Sequence, residues 1–472
     1  SQFSASYGYE ITDEQSFVSA RTTPTFNTHV DTYVWCVGNG ADPPWGAVGH
    51  NVHPCLGSNE RAADLIVEAC HAQGMEVWGS LRMNDIHDSF KAASLAETSE
   101  PIKAEHPEYL LAPERNRDLP RELIEQHLWS ALNFARPEVR RYRLDYIERN
   151  AATHDFDGYE LDFTRFVWCF PPGQERECAP LMTDLIRQAR ARLNAIGANR
   201  QRPYTFAVHV LDSPEVSLNL GLDVESWLQE GLIDVLVVGL GYMPYVLRLD
   251  EWLALGRRYG VPVYPSVNTN TYTGWWKEHF QSVAAFQQAV RASSAHFWQQ
   301  GADGLYLFNL FCQEDRRLGP MAADDLYRPL NEIGDPSLLV GRDKLYAIQP
   351  TADSGFCQQG SEAAPLPIAL DQVERKLPLH VGPDGGDPHA RWTLHLLTTG
   401  GRDIAPVWVR FNHTLLPEPT REGQWYRLSV PSDVLRPGTN QLTIWCQADA
   451  AATADPLIVH RVFAAATYDS AA

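Results

Sequence analysis

From residue 30 to residue 308 the chain repeats one rhythm, a short apolar run followed by a longer stretch with helical periodicity. The runs fall at 30–37 (VDTYVWCV), 75–83, 128–134, 156–163, 204–211, 234–240, 261–267 and 304–308. They are nearly continuous rather than alternating, so they read as strands buried on both faces, as in a parallel sheet. Between and after them, 59–73, 136–151, 181–196, 224–230, 249–259, 283–300 and 322–333 read as helices. Gly74 stops the first of these, and Pro137 opens the second. Eight strands alternating with helices predict an α/β fold, a (β/α)8 TIM barrel. A doubly wound open sheet is the runner-up, disfavoured because no Gly-rich phosphate loop follows the first strand.

After about residue 341 the helical periodicity ends. Short alternating segments replace it at 391–397, 407–411, 425–430, 441–445 and 457–462, separated by turn residues such as Arg436-Pro437-Gly438-Thr439-Asn440. That texture predicts a C-terminal β-sandwich. The expected division is a barrel over 1–340, a linker or first sandwich strand over 341–366, and a sandwich domain over 367–472. With 44% hydrophobic residues and 14 Trp, the 472 residues are enough to fill two cores.

The bulk chemistry narrows the partners. A formal net charge of −20 argues against nucleic acid and anionic membranes, which need a basic patch. No apolar run approaches a membrane span, so no membrane insertion is expected. The eight cysteines form no CxxC pair, which argues against a zinc ribbon or a thioredoxin-like site. Cys169 and Cys178 flank a Pro- and charge-rich loop and either bridge it or remain buried thiols. An exported location is the lean, a cytoplasmic one the alternative.

The most pointed chemistry lies in residues 155–166, DFDGYELDFTRF. Glu160 and Asp162 are two apart, so on a strand both side chains share one face. Two carboxylates on a buried strand are costly unless paired, hydrogen-bonded or used in chemistry. In barrel enzymes the site lies at the C-terminal ends of the strands. There the second run ends in Arg82, Asn84, Asp85 and His87, and the third in Asn133. The fourth offers Glu160, Asp162 and Arg165, and the fifth His209 and Asp212. The later runs add Tyr242, Asn268 and Asn309. Trp35, Trp45, Trp78, Trp168, Trp275 and Trp276 lie on strands or in the loops between them. Carboxylates, amides and aromatic faces together suit a sugar. A glycosidase needs one carboxylic acid for the leaving oxygen and a second carboxylate as nucleophile or base.

The runs SALNFARPEVR at 130–140 and FDGYELDFTRF at 156–166, with Leu81-Arg82-Met83-Asn84-Asp85, resemble the putative family-10-like glycoside hydrolases, bacterial barrel proteins. The resemblance spans about residues 30–335 and implies a barrel, a carbohydrate substrate and catalytic carboxylates on the fourth strand. The D-x-x-D-x-D-x-E run of chitinase-like barrels is missing from this sequence. The expected assignment makes Asp162 the nucleophile or base, held ionised by Arg82 or Arg165. Glu160 is the acid or tunes Asp162, and Asp212 and Asp85 are the other candidate acids. Arg82, Asn84, His87, Asn133, Arg165, His209, Tyr242, Asn268, Asn309, Trp45, Trp168 and Trp275 are the candidate substrate contacts, with no metal or cofactor expected.

Plainer readings compete with each of these. Glu160 and Asp162 make a structural network with Arg82 and Arg165, His209 is a core histidine, Asn84-Asp85 is turn chemistry, or Asp212 caps the segment before Pro214. At the level of the whole chain the rivals are a non-catalytic carbohydrate-binding protein, a metal-dependent amidohydrolase-type hydrolase using His50 and His53, and a polysaccharide lyase.

Overall fold

The structure is a computed structural model that describes residues 11–38, 56, 59–86, 94–98, 100–120, 123–239, 247–268, 282–308, 325, 327–348, 365–401, 407–447 and 455–469. Seven parallel strands form one sheet in sequence order: β1 Thr32–Gly38, β2 Glu76–Arg82, β3 Gly158–Asp162, β4 Thr205–Val210, β5 Val235–Val238, β6 Val263–Asn268 and β7 Tyr306–Phe308. The helices around them are α1 Glu14–Arg21, α2 Asn59–His71, α3 Pro101–Glu105, α4 Ile124–His127, α5 Pro137–Thr153, α6 Glu175–Arg200, α7 Pro214–Asn219, α8 Val224–Gln229, α9 Asp250–Tyr259 and α10 Val283–Gln300. None of them, among the described residues, is long and apolar enough to cross a membrane.

The sheet curls strongly. The Tyr306 hydroxyl on β7 reaches Glu160 on β3, four strands away along the sheet. Trp78, Ala207, Val235 and Val237 pack with Val34, Tyr264 and Tyr306 into one apolar cluster on the concave side. Among the described residues β1 and β7 share no ladder, so the curl does not close.

One expected strand is absent. Residues 128–134 do not enter the sheet, and β2 pairs directly with β3. Leu128–Ser130 is a turn of 3-10 helix, and Leu132 makes a single antiparallel bridge to Leu110. Leu128, Trp129 and Leu132 are fully or almost fully buried, as the apolar run predicts. The segment's backbone instead bonds to the preceding excursion, Leu111 N–H to Ala131 C=O and Asn133 N–H to Tyr109 C=O. An apolar run reports burial, and burial alone does not distinguish a strand from a packed turn. In the expected last helix, Arg328–Asn331 is another 3-10 turn, with Pro329 near its start.

A reciprocal hydrogen-bond clamp recurs at the N-terminal end of the sheet. Asp157 N–H donates to Val77 C=O while its Oδ2 accepts from Val77 N–H at 2.8 Å. Asp234 does the same with Phe206, and Asp303 with Val263. Each clamp joins a strand to the one before it: β2 to β3, β4 to β5, β6 to β7. It satisfies a backbone donor that the ladder leaves over where the strand begins. Asp157, directly before Gly158 at the start of β3, forms the first clamp.

The C-terminal strands are β8 Lys344–Ala347, β9 Ile368–Ala369, β10 Arg375–Val381, β11 Arg391–Thr399, β12 Val407–Phe411, β13 Thr414–Leu415, β14 Thr420–Glu422, β15 Trp425–Val430, β16 Gly438–Cys446 and β17 Ile458–Thr467. They make two mainly antiparallel sheets, β10-β16-β12-β13 and β14-β15-β11-β17-β8, with β9 on β17. β12 and β15 alternate buried and more exposed positions, as strands with one solvated face do. The inward side chains of both sheets, including Trp392, Leu394, Phe411 and Ile444, form one core. Ala292 of α10 joins that core, and Phe463 of β17 joins the core of the parallel sheet, so the two layers interlock.

Replacing Asp157, Asp234 or Asp303 by Ala is expected to lower unfolding free energy by about 1–3 kcal/mol each, the cost of an abandoned backbone donor. The Asn variants keep an acceptor and are expected to lose less, measured by urea unfolding at neutral pH.

Candidate functional site

The concave face of β2, β3 and β4 carries a polar layer above an apolar floor. In register lie Ser80, Glu160 and Ala207, and two residues further on Arg82, Asp162 and His209. Parallel pairing sets these positions level, and the strand period of two sends them to one side. The apolar cluster around Trp78 closes the N-terminal end below them. The polar groups therefore lie at the C-terminal ends of the strands.

Glu160 is fully buried. Its Oε1 accepts from Ser80 Oγ at 2.6 Å and from Tyr306 Oη at 3.2 Å. Oε2 has no hydrogen-bond partner among the described residues. Burial first, and then the charge of Asp162, push its pKa to about 8. At neutral pH the carboxyl holds its proton, and with Oε1 occupied by two hydroxyl donors that proton belongs on Oε2.

Asp162, two residues on, is 5% exposed. Its Oδ1 accepts from the backbone N–H and the hydroxyl of Thr164, both at 2.8 Å. This local turn fixes the carboxylate at the strand's end. Arg82 lies beside it in the ladder. His209 Nδ1 lies 4.0 Å from Oδ1 on the other side. The imidazole is fully buried, and its Nε2–H donates to Gly239 C=O at 2.8 Å. Burial pushes the histidine pKa down against the pull of Asp162, so the ring is neutral and its Nδ1 is a lone-pair acceptor.

The other candidates divide. Asp85 has a fully buried side chain, and its Oδ2 accepts from Arg82 Nη1 at 2.8 Å. This contact places Asp85 as the group that holds Arg82. Asn84 is consumed by the backbone: its amide donates to Leu132 C=O and Trp168 C=O and accepts from Leu132 N–H. It is a staple for the segment misread as a strand and has no amide edge left for a sugar. Asn133 Oδ1 accepts from Ala135 N–H just before α5, which makes it turn chemistry. Trp168 is 7% exposed and packs on Phe166. Trp35 packs edge-on against Phe17 of α1, and Trp78 belongs to the apolar floor. Arg165 lies over the Phe308 ring at 5.1 Å, and Asp212 follows β4 half-buried. Asn268 is the last residue of β6. His87, Tyr242, Asn309, Trp45, Trp275, Trp276, His50 and His53 lie outside the described residues.

Ser80, Thr164, Ser266 and Tyr306 also face or serve this site and escaped the sequence reading. The strand period exposes Ser80, two before Arg82, and Tyr306, two before Phe308. Nothing in the sequence marks Thr164. Cys169 and Cys178 are separate thiols and not a disulfide, and burial pushes Cys169 up to about 12. Among the described residues no three His, Cys, Asp or Glu side chains group as metal ligands.

Neither a protein-family model nor a curated protein sequence matches the chain. Among solved structures it overlaps an Anoxybacillus α-amylase, presented as a new glycosyl hydrolase subclass, at 13% identity and a TM-score of 0.43, over 93% of this chain and 91% of that one. The α-amylase of Geobacillus thermoleovorans complexed with acarbose overlaps at 13% identity and 0.41, over 91% and 92%. A cycloisomaltooligosaccharide glucanotransferase from Paenibacillus sp. overlaps at 10% identity and 0.29, over 85% of this chain and 47% of that one. The chain therefore spans about half the glucanotransferase's length. Overlaps this slight transfer no activity to the chain.

A group whose pKa is raised by folding stabilises the fold below its unfolded pKa and loses that contribution as pH rises through the folded value. For Glu160 the window runs from 4.5 to about 8. The Glu160→Gln variant, neutral throughout and isosteric, is expected to gain stability relative to the native chain between pH 5 and pH 8. Urea midpoints of both proteins at the two pH values measure the gain.

Proposed function

We propose that the chain is a glycoside hydrolase acting at the C-terminal ends of β3 and β4, with Asp162 as nucleophile or as base for water. The observation that supports this most is the contrast within one strand. Asp162 is fixed by Thr164 beside Arg82 at the outer end of the polar layer, while Glu160 lies one pleat deeper, fully buried and protonated. Two like groups set in different surroundings are how one scaffold separates acid and base work. Glu160 is too deep to touch a glycosidic oxygen in this arrangement, and Asp85 is tied to Arg82. The acid in this reading is Asp212, at the end of the neighbouring strand, and Arg82 is the cation beside Asp162 in the ladder. The division into a barrel over 1–340 and a sandwich from 367 belongs to the same reading, with the sandwich bracing α10. A carbohydrate is the proposed partner.

Asp162→Asn removes the charge and keeps the shape. It is expected to fold, with an unchanged unfolding transition, and to lose at least about a hundredfold in rate on a glycan panel read by product mass, the lower range for acid–base catalysis. A product lacking the added mass of water points to a lyase, and near-normal turnover by the variant overturns the assignment.

A further inference from the structure

Two histidines stand together where α10 meets the C-terminal layers. His296 of α10 is 6% exposed, and its ring lies 5.5 Å from that of half-buried His380 on β10. A hydrogen-bond network fixes the proton on His296. Gln300, one turn further along α10, accepts from Leu249 N–H through its Oε1 at 3.0 Å, so its Nε2 is the donor end. That amide donates to Leu247 C=O at 3.1 Å and to His296 Nε2 at 2.9 Å. His296 Nε2 is therefore a lone-pair acceptor, and the neutral ring carries its hydrogen on Nδ1.

The surroundings oppose a second proton. His296 Nδ1 and His380 Nε2 are buried and have no hydrogen-bond partner among the described residues, while His380 Nδ1 meets Thr439 Oγ1 of β16 at 3.1 Å. Burial, and then the neighbouring His380, push the His296 pKa down to about 3. Burial, and then Arg248, push that of His380 down as well. The acids on the elements packed here are matched elsewhere: Asp250 meets Arg248, Glu332 meets Arg291 of α10, and Asp384 meets Lys344 of β8. Arg257 of α9, close to Gly301 at the end of α10, and Lys376, four residues from His380 on β10, add only positive charge.

A proton on His296 Nε2 would set one N–H against another and break the contact with Gln300. What Gln300 holds leads to the candidate site. Leu247 packs on Gly239, where a Cβ would lie 3.2 Å from Leu247 Cδ2. The Gly239 carbonyl accepts His209 Nε2–H at 2.8 Å, and His209 lies beside Asp162.

We propose that His296, shielded by His380, is an acid-sensitive latch: neutral, it lets Gln300 hold residues 247–249 against Gly239, and protonated, it releases them and with them the carbonyl that orients His209. His296 is then a positioning residue, and only a proton from solvent moves. Control of catalysis rests on the glycosidase reading, whereas the latch does not. A ring that must stay neutral when closed favours the closed state above the ordinary histidine pKa and loses that contribution as pH falls through it. The window runs from 6.5 down to about 3. Between pH 7.5 and pH 5.0 the open segment gains about thirtyfold in population.

The experiment is amide hydrogen exchange of the native chain and of His296→Gln at pH 7.5 and 5.0, corrected for the intrinsic pH dependence of exchange. Gln offers Gln300 an acceptor oxygen and does not titrate. The Leu249 and Gly239 amides, bonded to Gln300 Oε1 and Val210 C=O, are expected to lose about thirtyfold in protection at pH 5.0 in the native chain and none in the variant. The α6 amides keep their protection in both. Unchanged protection at Leu249, an equal loss in the variant, or a loss that includes α6 overturns the latch. Loss at Leu249 with Gly239 still protected overturns the link to His209. If His296→Gln does not fold, the 15N shifts of the native His296 ring decide. A ring that stays neutral until Leu249 opens supports the latch, and one that titrates near its ordinary pKa with Leu249 still protected overturns it.

Discussion

A line of buried charges holds the candidate site together. Arg143 on α5 is fully buried, donates to Met83 C=O, and forks onto both oxygens of the equally buried Glu100. Lys103 on α3 lies 3.4 Å from Glu100 and donates to Asp85 C=O. Asp85 in turn holds Arg82, which lies beside Asp162 in the ladder. Positive and negative groups alternate along the whole line. Desolvating a single ion costs several kcal/mol, and the arrangement survives only because each charge meets an opposite one or a carbonyl. The consequence for Asp162 is directional. The buried Asp85 holds the Arg82 guanidinium at 2.8 Å, so the cation stays beside the Asp162 position in the ladder. Glu160, one pleat below, is cut off from water and lies near the charge of Asp162, and so it keeps its proton.

The parallel sheet and the antiparallel C-terminal layers were legible from periodicity because buried strands and half-solvated strands leave different patterns. The period of two also found the shared face of Glu160 and Asp162. What periodicity could not supply was the use of a polar side chain. Asn84 is spent on backbone amides and carbonyls, and Asn133 Oδ1 on the backbone amide of Ala135. That decision depends on which backbone atoms the fold leaves unsatisfied nearby, and residues 128–134 leave several by turning instead of pairing. The same limit hid Ser266 and Tyr306, whose neighbours come from strands far apart in the chain.

The C-terminal layers depend on a second buried pair. Lys344 on β8 meets Asp384 at 2.7 Å, both almost fully buried, and Tyr346 and Tyr468 donate their hydroxyls to the same carboxylate. Lys344 also reaches back to the carbonyls of Leu339 and Arg342, in the segment that leads out of the parallel sheet. Charge is again buried only where donors and acceptors balance. The pair fixes the first strand of the C-terminal layers to the chain that precedes it.

The three aspartate clamps give the two ends of the parallel sheet different kinds of tolerance. At the N-terminal end, each clamp ties a strand to its predecessor through a side chain, so a change there reduces how much folded protein a cell accumulates. At the opposite end lies Asp162, where, in the proposed reading, a change alters chemistry instead. On that reading, abundance and chemistry are encoded at opposite ends of the same strands.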